Sequence, residues 1–229
     1  MGKQKIRFVV ATRHTRESFF TKTALGKSLA LHPFSWIGLD LFASNNDGLP
    51  KVYNRSIENS KNNPAVLVFA HDDIHLLDFF WADHLVNALE QFDIVGIVGN
   101  KKRIPNQPGW CFIDDNFTLD KSENFSGVIG HGIDFPPRIL KVFGPPWQEV
   151  KLLDGLFLAC HSETLKQTSL QFDEQFDFHF YDLDFCRQAE EKNLKMGTCN
   201  ISIVHQSSGN FKSPQWEVAK NKYFAKWFE

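Results

Sequence analysis

The chain has 229 residues, 42% of them hydrophobic, enough to bury a sizeable core without disulfides or a structural metal. Its charge is balanced, 25 Lys and Arg against 27 Asp and Glu, and no basic tract is present, which argues against non-specific nucleic-acid binding through phosphate neutralisation. No apolar run approaches the ~20 residues of a spanning helix, and the opening MGKQKIRFVVATRH lacks the apolar stretch of a secretion signal, so a cytoplasmic protein is expected.

The first hundred residues alternate between two periodicities. Ile6–Ala11 (IRFVVA) is an apolar, β-rich run too continuous for a half-exposed strand, which marks a strand buried on both faces, and residues 16–31 follow with helical character. Ser35–Leu41 reads as a second strand, SNNDGLP as a turn, and Pro50–Lys61 as a helix with proline at its start. Ala65–Ala70 is a third buried strand, residues 78–91 an amphipathic helix and Asp93–Val98 a fourth strand. Strands alternating with helices imply an α/β fold, a doubly wound and mostly parallel sheet.

Residues 101–150 break the rhythm. They are rich in Pro and Gly, with short strands expected near Gly127–Gly130 and Ile139–Phe143, and they read as an irregular excursion suited to a lid. Regular structure resumes with a strand in Leu152–Cys160, a helix from Ser162, a helix over Asp182–Asn193, a strand at Asn200–His205 and an aromatic helix over Pro214–Phe228. The whole reads as one domain with a nucleotide-binding half (1–100), the excursion (101–150) and an acceptor-side half (151–229). Four cysteines without CxxC spacing read as free thiols.

Ligands of open parallel sheets bind beyond the carboxyl ends of the strands. There the sequence collects Thr12-Arg13-His14, Asp40 and His71-Asp72-Asp73. No GxGxxG or GxxxxGK[ST] loop is present, so a nucleotide needs another phosphate anchor, and adjacent carboxylates supply one through Mg²⁺ or Mn²⁺. A second polar cluster, FDEQFDFHFYDLDFCRQAEE, places Asp182 and Asp184 at a helix start, and His205 closes a strand.

Taken in order, GLPKVYNRSIENSKNNPAVLVFAHDDIHLLD, LLDGLFLACHSETL, FDEQFDFHFYDLDFCRQAEEKNL and ISIVHQSSG resemble the nucleotide-sugar glycosyltransferases of the GT-A fold, most closely the family 2-like inverting group. The resemblance covers residues 5–100 and 150–210. It implies that His71-Asp72-Asp73 stands at the family's DxD region, with Asp73 as a metal ligand and His71 replacing the first carboxylate. It puts Thr12, Arg13 and Asp40 at positions that hold the nucleoside, with Asn54 and Asp72 on the same side. Asp154 and Gly155 fall where the sugar and acceptor site is lined. Tyr181-Asp182 replaces a Glu-Asp pair whose Asp is the catalytic base, and His205 matches a further metal-side ligand. Asp184, two positions from Asp182, cannot share its helical face and is assigned a supporting role toward His205 or the metal's water shell.

The implied activity is metal-dependent transfer of a sugar, with inversion, from a nucleoside-diphosphate sugar to an acceptor hydroxyl, using Mn²⁺ or Mg²⁺. Two rivals follow from the same residues. One is a nucleotide-sugar-binding module without turnover, motivated by His71; the other is a metal-dependent phosphohydrolase.

Overall fold

The computed structural model describes residues 4–133, 136–207, 209 and 211–227. Its main sheet has six strands: β1 (Ile6–Ala11), β2 (Ile37–Phe42), β3 (Val66–Ala70), β5 (Ile94–Gly96), β10 (Phe157–His161) and β11 (Met196–Thr198). Their order is β11-β5-β10-β3-β1-β2, with β1 parallel to both β2 and β3, and β11 parallel to β5. Only β10 runs against its neighbours. The expected doubly wound, mostly parallel α/β architecture is present.

Alternation along the strands explains why both faces are covered. Ile6, Phe8 and Val10, with Val66 and Val68, point to one side, where α1 (Arg16–Lys22), α2 (Ala24–Ala30) and α4 (Trp81–Leu89) pack. Val9, Leu67 and Phe69 point to the other, against α3 (Leu49–Ser60), α5 (Ser162–Thr168), α6 (Tyr181–Glu191) and α7 (Pro214–Trp227). Each fully buried Phe or Leu in these layers contributes about 1.5–3 kcal/mol relative to exposure. No helix among the described residues is long and apolar enough to cross a membrane.

A second sheet takes up the stretch expected to be irregular. It comprises β4 (Ile74–Leu76), β6 (Val98–Asn100), β7 (Phe125–His131), β8 (Ile139–Gly144), β9 (Leu152–Leu153) and β12 (Ile203–His205), in the order β4-β12-β7-β6-β9 with β8 on β7. The two short strands anticipated in 101–150 are therefore β7 and β8, longer than expected and paired antiparallel.

Three other boundaries move for identifiable reasons. The helix expected over 16–31 is broken at Thr23, whose extended backbone ends α1 and whose hydroxyl caps α2 by accepting from Gly26 N. The strand expected over 93–98 divides, β5 staying in the main sheet and β6 entering the second. The run 152–160 likewise splits into β9 and β10 around Asp154-Gly155. The aromatic C-terminal helix packs on its own domain: Trp216, Ala219 and Tyr223 are buried against the α6 side, and its expected last residue, Phe228, lies outside the described residues.

Candidate active site

Three chain segments meet at the carboxyl end of the sheet. After β3, His71, Asp72 and Asp73 turn into β4, and the turn is pinned by backbone bonds: His71 N donates to Leu156 O, Leu25 N to Asp72 O and Gln206 N to Asp73 O, each at 3.0 Å. Antiparallel pairing of β4 with β12 sets His205 opposite Ile74, and so beside Asp73. Parallel pairing of β12 with β7 sets His131 opposite His205.

His205 Nε2 stands 3.3 Å from Asp73 Oδ1 and 3.0 Å from Ser207 Oγ. Burial opposes charge on His205, but the adjacent Asp73 carboxylate outweighs it and raises the imidazole's pKa. Burial likewise disfavours the Asp73 carboxylate, yet the His205 contact prevails and holds its pKa at about 2. His71 completes the cluster: one ligand atom from each of His71, Asp73 and His205 lies within 4.8 Å of the others. Asp73 Oδ1 is buried, and its partner is the His205 ion pair, without a hydrogen bond of regular geometry. Two imidazoles and a carboxylate with a spare oxygen fit a divalent cation.

Across the cleft lies the first turn of α6. Phe180, at its N-cap, adopts φ 64°, a left-handed conformation unusual for a bulky residue, held by packing on Trp216 and Tyr223. This turns Tyr181 and Asp182 toward the loop between β9 and β10. Asp182 Oδ2 accepts from Gly155 N at 3.0 Å, and Oδ1 from Leu183 N at 2.9 Å. Only glycine fits at 155, because a Cβ there would lie 2.4 Å from the Tyr181 hydroxyl oxygen. Burial, with the nearby negative charge of Asp154, pushes the Asp182 carboxyl up to about 7. Asp154 is held by Trp110, whose Nε1 donates to it at 2.7 Å, and by Leu156 N. Asp182 is thus a carboxylate able to take up a proton near neutrality.

One hydrogen-bonded chain joins the two sides. The Tyr181 hydroxyl donates to Gly155 O at 2.8 Å and lies 3.0 Å from His71 Nε2. A carbonyl only accepts, so the tyrosine proton is committed there and His71 Nε2–H is the donor in the second bond. Burial keeps the Tyr181 phenol protonated.

These groups line a cavity of about 400 Å³ that also contains Trp110, Phe143, Phe178 and Trp216. A more polar cavity of about 570 Å³ adjoins it, sharing Ala11, Leu49, Asp72 and Phe178 and adding Thr12, Arg13 and residues 45–48. There Thr12 Oγ1 donates to Asp72 Oδ2 at 2.5 Å, and Arg13 donates to Asn45 O and Asn46 Oδ1.

Of the residues singled out from the sequence, Asp73 and His205 come together, Asp154, Gly155 and Asp182 come together, and Thr12, Arg13 and Asp72 share the polar cavity. Three stand elsewhere. Asp40 lies on β2 beside Arg7, Nε to Oδ1 3.8 Å, in a separate depression with Trp36 and Asn63. Asn54 spends its amide on Phe172 N and O, tying α3 to the segment before α6. Asp184 does not take the place assigned to it near His205. It is wholly buried and bonded to Gln188, Lys226 and Trp227, so it anchors α7. The helical rotation of about 200° between positions 182 and 184 turns one acid into the cleft and the other into the core.

Sequence reasoning overlooked His71 as a candidate ligand, Tyr181 as a link and Trp110 as the partner of Asp154. The signal for His71 was present: imidazole is itself a metal ligand, and it sits two residues before Asp73.

A sequence profile described as a glycosyltransferase-like family matches residues 37–227. Among solved structures, the crystal structure of A197 from STIV is similar to this chain at TM-score 0.47 and 8% identity, over 92% of this chain and 99% of that one. A comparison with curated proteins yields no match.

Proposed function

This chain belongs to the glycosyltransferase-like family, and from that premise we propose that it is a metal-dependent inverting transferase, moving a sugar from a nucleoside-diphosphate sugar to an acceptor hydroxyl. One observation carries the reading: a single cleft holds a carboxylate with a pKa near neutrality, Asp182, and an ion-ready cluster, His71, Asp73 and His205, next to a polar cavity of nucleotide size.

In this reading Thr12, Arg13 and Asp72 face the nucleoside, and Asp154 and Gly155 border the sugar. The acceptor hydroxyl attacks the anomeric carbon from the face opposite the diphosphate. Asp182 receives its proton as the new glycosidic bond forms and the bond to the diphosphate oxygen breaks. Gly155 N–H and Leu183 N–H hold the two Asp182 oxygens in place. Asp73, His205 and His71 would hold a divalent cation, which would supply charge compensation for the departing diphosphate. A cytoplasmic setting accords with the four unpaired cysteines, three of them buried.

The test is product analysis with a panel of nucleoside-diphosphate sugars, Mn²⁺ and hydroxyl acceptors. The expected product is an intact nucleoside diphosphate released in step with glycosylated acceptor. Binding without release identifies the non-catalytic module, and release of inorganic phosphate or nucleoside monophosphate identifies the phosphohydrolase.

A further inference from the structure

We infer that the depression at the amino-terminal ends of β1 and β2 is a second ligand site, which takes a neutral pyranose unit of a glycan. The binding stands apart from the transferase reading. Only its use, holding the chain on an extended glycan while the cleft acts, rests on that reading.

The depression has a volume of about 460 Å³ and shares no lining residue with the two cavities of the cleft. Ile6 borders it and Ala11 borders both cavities, so the length of β1, roughly 16 Å, lies between them.

Its floor is a charged pair that the chain itself does not close. Arg7 sits in an apolar strand with only 12% of its side chain exposed, and its guanidinium donates to Asn63 O at 3.2 Å. The register partner of Arg7 on β2 is Gly38, so no side chain covers it from that strand. Asp40, two residues along the same face of β2, stands 3.8 Å from Arg7 Nε through Oδ1, an ion pair longer than a hydrogen bond. Asp40 Oδ2 is buried and accepts from no donor among the described residues. A guanidinium has five N–H donors and a carboxylate about four acceptor positions, so much of this capacity is unused. A ligand that brings both donors and acceptors recovers it, once the carboxylate rotates about Cβ–Cγ to present Oδ2.

The form of the unused capacity selects the ligand. Asp40 offsets Arg7, and exposed Lys5 is the one other charge in the lining, too little to hold a phosphate in water. A hydroxyl both donates and accepts, so neighbouring hydroxyls match a carboxylate beside a guanidinium. Asn59 and Asn63 add side-chain amides that make no other hydrogen bond among the described residues. Trp36 supplies an apolar surface: it lines the depression, and its indole is fixed by stacking on Phe34, ring centroids 5.3 Å apart. An aromatic ring beside a few convergent polar groups suits a ligand with an apolar face and a hydroxylated rim, and a pyranose has that form.

The test follows the indole N–H signals of the ¹⁵N-labelled whole chain, with Trp36→Phe and Trp110→Phe identifying the two signals of interest. The probes are maltohexaose, cellohexaose, laminarihexaose, chitohexaose and mannohexaose, without metal or nucleotide, and inorganic phosphate alone. At least one hexaose is expected to move the Trp36 signal saturably. Asp40→Ala is expected to weaken that response ~10-fold or more, the scale of hydrogen bonds to a charged group, and Asn59→Ala roughly 5-fold. Three results overturn the site: no hexaose moves Trp36, a hexaose moves Trp110 alone, or Asp40→Ala binds as the parent does. Phosphate moving Trp36 overturns the sugar class in favour of an anion. Where Asp40→Ala does not fold, Asn59→Ala on the exposed side of α3 decides in its place. In a separate arm, UDP with Mn²⁺ is expected to move Trp110 and leave Trp36 unchanged. Failure of that arm alone counts against the transferase reading and leaves the glycan site standing.

Discussion

The two walls of the cleft are built on opposite principles. The wall at the ends of β1 and β3 is polar and held by backbone: Asn45 N bonds to Thr12 O, Ser44 N to His14 O and Thr12 N to Phe42 O, so the loops carrying Thr12 and Arg13 are knitted together. The facing wall, from residues 108–112, β8, the start of α6 and Trp216, is aromatic, with Trp110, Phe143, Phe178 and Trp216 toward the cavity. Fixed dipoles suit a charged, hydrogen-bonding donor, and broad apolar rings suit the faces of a sugar or acceptor. The catalytic proposal sits at their seam, where Asp182 meets Gly155.

The sharpest way to break this division is Asp182→Asn. Transfer is expected to fall at least ~100-fold with donor affinity nearly unchanged, because the loss is of a base and not of a binding group. The base works ionised and its pKa is about 7, so the parent rate should climb from about pH 6 to about pH 8 and then level off. A steady-state profile that is flat down to about pH 5, or near-parental transfer by the variant, would place the base elsewhere.

Asp184→Asn tests the contrary fate of an acid two positions away. Its ion pair with Lys226, 2.7 Å, and the bond from Trp227 tie α7 to α6. The expected effect is a loss of stability on the order of 2 kcal/mol, read in denaturant unfolding, with transfer by the folded fraction intact. Loss of activity at full stability would return Asp184 to the chemistry.

A smaller effect is expected on the aromatic wall. Phe143→Ala should raise the acceptor's KM by roughly tenfold, the scale of one aromatic contact, with donor affinity little changed. A change confined to the donor would reverse the assignment of the walls. Smallest of all is a change in hydrogen exchange. Amides over 104–119 should gain protection when donor and Mn²⁺ bind, while those of β1 and β3 stay constant. Unchanged exchange across 104–119 means that this stretch is a fixed wall and not a lid.

Periodicity determined the α/β layering, because strands buried on both faces must be apolar at consecutive positions, as Phe8–Val10 and Val66–Ala70 are. Local chemistry also marked Asp73, Asp182 and His205, since charged groups at strand ends and helix starts stand out in an apolar pattern. Within residues 101–150 the strands β7 and β8 were legible but the second sheet they build was not, because its other members, β4, β6 and β12, lie outside this stretch and are too short to carry a period. The same non-local pairing, β12 on β4 and β7, brings His205 to Asp73 and so groups both with His71 in one cluster that could hold an ion. The fates of Asp182 and Asp184 depended on what α6 packs against, and Asp40 and Asn54 were drawn to Arg7 and Phe172 by contacts that no local pattern records. Sequence by itself determined which elements form and which residue types carry chemistry. Only the tertiary structure decided which of those residues meet, because the distances that matter are closed by pairings between segments up to 132 residues apart, as in His205 and Asp73.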